Sequence, residues 1–191
     1  AMPFLTGLIF NIPLIIFTWL LNALPPPTEA DQKERTKRVP MSAKERWDFF
    51  KRFAGGITVL TLVYMLLTAF RDLRDNYAFE ILEAVGFVDD AGIFTRTEVP
   101  IAIIVLIVMA SIMFIKNNQK AMIINHYIIL FGITLIGAST YAFEHEFISP
   151  YIWMVSTGLG SYLAYVPFNC ILFDSFIATF KTLANAGFLI Y

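Results

Sequence analysis

One cysteine, Cys170, and two histidines are all that the 191 residues offer to disulfide, thiolate or imidazole chemistry. A lone cysteine excludes an intrachain disulfide and any metal site built on several thiolates. Set in an apolar run, Cys170 reads as a small buried hydrophobe. Charge is scarce as well. Asp, Glu, Lys and Arg make up 15% of the chain, against about a quarter in an ordinary soluble domain. The net charge of −1 lacks the basic excess that neutralises nucleic-acid phosphates, so no nucleic-acid partner is expected. No Gly-rich phosphate loop, H-E-x-x-H or G-x-S-x-G is present. The triplet Glu144, His145, Glu146 is the densest group of metal-ligand types, but adjacent residues point different ways and make a poor metal site. The sequence therefore implies no metal, no cofactor and no enzyme. An enzyme acting on lipids through Asp72, Asp75, Asp89 and Asp90 with a divalent cation is disfavoured, because these acids form no tight motif.

What the chain has instead is apolar length. It is 58% hydrophobic with a mean hydropathy of +0.67, and its apolar residues come in blocks of about 20, the length of a helix crossing ~30 Å of hydrocarbon. Such uniformly apolar blocks do not alternate as barrel strands do. The fold class is an all-α polytopic membrane protein with about six transmembrane helices, its first partner the lipid bilayer. "AMPFLTGLIF" has no basic region or cleavage site and is not a secretory signal peptide. The chain stops at "NAGFLIY" inside an apolar run, as a fragment of a longer chain would.

The first span covers 1–24, with Pro13 as a kink candidate and Pro25–Pro27 as its stop. A basic linker follows over 25–52, with an amphipathic helix from about residue 42. There Ser42 and Glu45 form a capping-box pattern, and Trp47, Phe49, Phe50 and Phe53 mingle with Lys44, Arg46, Lys51 and Arg52 as at a headgroup layer. The bundle proper is 53–191. Its second span runs from about Ala54 to Phe70, with Gly55 and Gly56 either allowing close approach or incidental. Helical spacing continues to a stop at Gly86. Thr97 as cap and Pro100 in the first turn open a third span, Glu98 to Ile115. "KNNQK" is a tight turn before a fourth span, Ala121 to Phe143. Ser149 and Pro150 open a fifth, Tyr151 to Phe173, with Pro167 as a kink candidate. A sixth begins near Leu183.

Loop charge alternates. The 25–52 loop carries eight basic and five acidic residues, and 71–98 carries three basic and seven acidic. Residues 116–120 hold Lys116 and Lys120 and no acid, whereas 144–149 hold Glu144 and Glu146 and no Lys or Arg. By the positive-inside rule, 25–52 and 116–120 are cytoplasmic and 71–97 and 144–149 lie outside. In a bacterium this is the inner membrane.

One span, a long basic linker with an amphipathic helix, then spans joined by short turns resembles the middle and C-terminal half of a major facilitator superfamily transporter. "FDSFIATFKTLANAGFLIY" is similar to that family's cytoplasmic turn into its eleventh helix. "LLTAFRDLRDN" also resembles an uncharacterised bacterial membrane family of unknown function, related to this superfamily. Between its eighth and ninth helices the superfamily carries a Gly, an Asp-Arg pair and further basic residues, where this chain has "KNNQK". The resemblance implies a fragment of a secondary active transporter that moves a small solute by alternating access. Its partners would be that solute and the N-terminal half of the same chain. The alternative is a non-transporting scaffold, sensor or subunit that keeps the fold.

Three sets of residues are candidates. Arg71, Arg74 and Asp75 share one helix face, with Arg71 and Asp75 spaced to pair and Asp72 turned away by about 100°. They either line the outer mouth of a pathway or mark a helix leaving the membrane with solvated charges. Tyr162, Tyr165 and Asn169 form a polar stripe in the fifth span, as a pathway lining near the midplane or as interhelical hydrogen bonds. His126, beside Asn125 in the fourth span, is a proton-coupling candidate or an interfacial histidine. Ser156, Thr157, Gly158 and Gly160 read as close-packing positions.

Overall fold

The structure, a computed structural model, describes residues 2–26, 29, 42–87, 92–112, 114–115, 117–168, 172 and 175. Among these residues the chain forms six helices and no strand: α1 (Met2–Asn22), α2 (Ala43–Asn76), α3 (Ala78–Ala84), α4 (Ile93–Ile112), α5 (Asn118–Glu144) and α6 (Pro150–Pro167). Two compact units divide the chain, 1–37 and 38–191. The sixth span expected near Leu183, and the expected linker between residues 30 and 41, lie outside the described residues.

In the first unit α1 carries Pro13 in its interior. Two of its polar side chains bond back to its own backbone: Asn11 Nδ2 donates to Gly7 O at 3.2 Å and Thr18 Oγ1 to Leu14 O at 2.7 Å. Such back-bonding lets a polar residue sit on an apolar helix without a tertiary partner.

In the second unit α2 opens on the capping box expected at Ser42: the hydroxyl accepts from Glu45 N, and the Glu45 carboxylate accepts from Ser42 N at 2.7 Å. These bonds hold the Glu45 carboxyl below its ordinary value. The helix then runs 34 residues without a break, about 51 Å at 1.5 Å per residue. The amphipathic start and the second span are thus one rod, longer than ~30 Å of hydrocarbon. Among the described residues nothing lies within 4 Å of a Cβ built on Gly55 or Gly56, so no close approach between these residues uses the two glycines.

Helix α4 corrects the sequence reading. It begins at Ile93, so Thr97 is not a cap but sits inside the helix, fully buried, its hydroxyl donating to Ile93 O and Phe94 O. Pro100 likewise lies within the helix. Its end is Ile112, and Asn117, whose side chain accepts from Lys120 N at 3.0 Å, caps α5. Ser149 caps α6 with Pro150 in the first turn, as the sequence implied.

Helix α6 is the hub, packing on α5, α4 and α2. Side-chain pairs fix the directions. Trp153 Nε1 donates to Thr140 Oγ1 at 3.2 Å, while Gly160 meets Gly132 one stretch further down, so α5 and α6 are antiparallel. On α2, Arg74 reaches Met154 and Tyr64 reaches Tyr165, again antiparallel. On α4, Tyr151 Oη donates to Arg96 O at 3.0 Å and Ile101 meets Gly158, so α4 and α6 are parallel. The four long helices therefore alternate up and down. Residues 77–87 and 144–149 are at one end, and Ser42, Ile112 and Asn117 at the other.

Small residues let α6 serve three neighbours. A Cβ on Gly160 would lie 2.6 Å from Gly132 O, and one on Gly132 would lie 2.5 Å from Gly160 O. Backbone meets backbone here, which a larger residue forbids. Leu67, Ile129, Ala164, Phe168 and Leu172 form one core cluster around α6, and Leu82, Ile93 and Met154 another.

Candidate functional site

Two of the sequence's candidate groups, nearly ninety residues apart, meet in space. The last two turns of α2 present Arg71, Asp72, Arg74 and Asp75, the second turn of α4 presents Glu98, and the last two turns of α6 present Tyr162 and Tyr165. Arg74 is 4% exposed. Its Nη2 donates to Glu98 Oε1 at 2.7 Å and to Met154 O at 3.3 Å, and its Nη1 donates to Asp75 Oδ1 at 3.3 Å. Among the described residues Arg74 Nε has no partner. The other oxygen of Asp75 accepts from Tyr162 Oη at 3.1 Å.

Arg71 does not take the expected pair with Asp75, because Tyr162 and Arg74 already occupy that carboxylate. It donates instead to its neighbour Asp72, at 2.6 Å from Nη2, and so brings into the network the acid that helical geometry had turned away. The Arg71 guanidinium also lies over the Tyr165 ring, 4.2 Å from its centroid, a cation–π contact. Tyr165 in turn stacks on Tyr64, with ring centroids 5.3 Å apart and a hydroxyl–hydroxyl bond of 3.1 Å. Of the polar stripe, Asn169 lies outside the described residues.

Gly158 explains how a guanidinium fits beside the hub helix. A Cβ there would lie 2.5 Å from Arg74 Nη2 and 2.5 Å from Ile101 Cδ1. The sequence reading placed Gly158 in close packing but did not connect it to Arg74. Glu98, the main carboxylate partner of Arg74, was read only as the first residue of a span. Its charge, directly before an apolar run of helix, was the available signal.

Beside the network, α4 and α6 flank a cleft of about 490 Å³. Glu98 and Tyr162 stand among otherwise apolar walls of Ile101, Ala102, Val105 and Met109.

His126 is not in this constellation. It is exposed on α5, its Nδ1 2.7 Å from Met122 O one turn back; a carbonyl only accepts, so this nitrogen carries the proton. Its neighbour Asn125 is fully buried, and among the described residues neither amide atom has a hydrogen-bond partner. At the Glu144–Glu146 turn the His145 ring lies against Tyr141, with centroids 4.1 Å apart and the planes tilted by 33°. Among the described residues no three His, Cys, Asp or Glu side chains are grouped to hold a metal ion.

Fold and site together define a helical bundle among the described residues, in which α2, α4 and α5 are each long and apolar enough to cross a bilayer, with 6%, 17% and 22% of their most apolar stretches buried inside the protein. Over residues 1–191 the chain belongs to DUF5690, a family of unknown function. No curated protein and no solved structure matches it.

Proposed function

We propose that this chain is part of a secondary active transporter of the bacterial inner membrane, similar in plan to the major facilitator superfamily, and that it moves a small solute by alternating access. The observation that carries this reading is the buried Arg74 held by Asp75 and Glu98. It joins α2 to α4 and α6 through polar contacts rather than apolar packing. Ionisable groups inside a membrane bundle are costly unless they serve a pathway. In this reading α1 and α6 add two further spans to the three long apolar helices, residues 25–52 and 116–120 face the cytoplasm, and the network lies in the outer half of the bundle. The pathway residues are Arg71, Arg74, Asp75, Tyr162, Tyr165 and Asn169, with His126 as an accessory proton carrier. No covalent chemistry takes place.

Uptake by the full-length protein in proteoliposomes tests this, with Arg71→Gln, Arg74→Gln and Asn169→Ala made singly. Solute-dependent uptake, lowered in these variants while His126→Gln alters only its pH dependence, is the expected result. Absence of uptake for every solute class sinks the transporter reading. Wild-type uptake in all three variants sinks the site.

One observation favours a scaffold or sensor instead: each guanidinium in the network already has a carboxylate partner, as a purely structural clasp would. That reading predicts loss of thermal stability in Arg74→Gln with no uptake by any variant.

A further inference from the structure

The charges of the network do not balance. Arg71 is matched by Asp72, but the single guanidinium of Arg74 serves both Asp75 and Glu98. Two positive groups thus face three negative ones. Of the two carboxylates on Arg74, Asp75 has both oxygens engaged, by Arg74 and by Tyr162. Glu98 has only Oε1 engaged, by Arg74; among the described residues nothing donates to Oε2. The network thus carries one excess negative charge, its open acceptor is on Glu98, and Glu98 is the one of these carboxylates that lines the cleft.

The rest of the cleft is apolar. From Glu98 its wall continues down α4 through Ile101, Ala102 and Val105 to Met109, about 16 Å of helix. Its volume of about 490 Å³ is that of a small-molecule site. A carboxylate with a vacant lone pair at one end and a long apolar wall below it matches a ligand with one cationic N–H donor and one apolar chain. An anion would meet the excess negative charge. A quaternary ammonium would satisfy the charge but offer no N–H to Oε2.

We propose that the cleft between α4 and α6 binds an amphiphile with a primary ammonium head, seated on Glu98, and a single alkyl chain laid along Ile101, Ala102, Val105 and Met109. The site deepens the transporter reading by naming a substrate class, and it rests on that reading only for the step after binding.

Photolabelling of the full-length protein in phosphatidylcholine nanodiscs tests the site without a gradient. The probe is a dodecylammonium carrying a diazirine near the end of its chain, and the labelled residues are mapped by mass spectrometry. Labelling is expected on residues 101–109 and 162–166. It is expected to fall about tenfold in Glu98→Gln, to recover in part in Glu98→Asp, and to be lost in Ala102→Trp, which fills the cleft. Ile107→Trp, on an exposed side chain outside the cleft, is expected to leave it unchanged. Unlabelled dodecylamine should compete, and dodecanol and dodecyl sulfate should not. Equal labelling of wild type and Glu98→Gln, equal competition by dodecanol, or labels spread over the lipid-facing helices would overturn the proposal. Labelling that follows Glu98 while every uptake assay fails removes the transporter and keeps the site. Uptake with labelling indifferent to Glu98 does the reverse.

Discussion

Arg74 and Asn125 are both buried polar residues, and physics treats them oppositely. Arg74 has carboxylates on two helices and a carbonyl on a third chain segment. Replacing it with Met removes the guanidinium and leaves Asp75 and Glu98 facing one another uncompensated. Breaking a buried pair from one side costs ~3–5 kcal/mol. Both carboxylates are partly exposed, so Arg74→Met should cost about 3 kcal/mol, read as a lowered unfolding midpoint in detergent. Glu98→Gln should cost less, since Asp75 still serves Arg74. Asn125 has one desolvated amide, and among the described residues neither its nitrogen nor its oxygen has a partner. An unsatisfied buried polar group carries a penalty of ~1–3 kcal/mol, so Asn125→Leu should raise stability by about 1 kcal/mol in the same measurement. A fall in stability would mean that the amide is engaged.

Among the elements, two helix ends share one hydrogen-bond pattern but differ in the residue that makes it. After α3, Gly86 has φ 97°, Phe87 N donates to Leu82 O and Gly86 N to Glu83 O. After α5, Phe147 N donates to Ala142 O and Glu146 N to Phe143 O, with Glu146 at φ 61°. Both are Schellman ends, whose left-handed position favours glycine. Gly86→Ala should destabilise by about 1 kcal/mol, and Glu146→Gly should stabilise by a few tenths to about 1 kcal/mol; thermal shifts of opposite sign in the two variants check this. Gly86 was legible from the sequence as a stop because glycine announces the conformation. The turn at Glu146 was legible only as a break in hydropathy, because glutamate announces nothing. The same contrast separates the helix starts. Ser42, Asn117 and Ser149 are caps in fact, but Thr97 has the right residue type and the wrong place. Its hydroxyl is equally content inside a helix, bonded back to Ile93 and Phe94, so local pattern could not decide.

At the scale of the whole bundle, the sequence carried direction better than contact. Loop charge alone predicted that 71–97 and 144–149 share one side and that residue 42 and the 116–120 turn share the other, and the antiparallel and parallel pairings of α2, α4 and α5 with α6 agree. What it could not show is that α6 is the hub. Thr157, Gly158, Gly160, Ser161 and Ala164 make this helix less apolar than its neighbours, yet they are buried in it. A helix shielded by three others need not be apolar, and hydropathy, which averages all its side chains, carries no sign of that shielding. The packing of FRDLRDN followed from that blind spot. Its polarity reads as an exit from the membrane until α6 supplies Tyr162, Tyr165 and the space beside Gly158. The up-down arrangement makes a last prediction. In a Cys170→Ala background, single cysteines at Lys44 and Gln119 should react with a membrane-impermeant maleimide from one side only, and cysteines at Tyr77 and Phe147 from the other only. All four positions are exposed. In bacterial cells the first pair should react only after the membrane is opened and the second pair without it, because the basic loops favour the cytoplasm. Same-sided labelling of Lys44→Cys and Phe147→Cys would mean that an even number of the three long helices between them, α2, α4 and α5, crosses the bilayer, and the charge alternation would then need another cause.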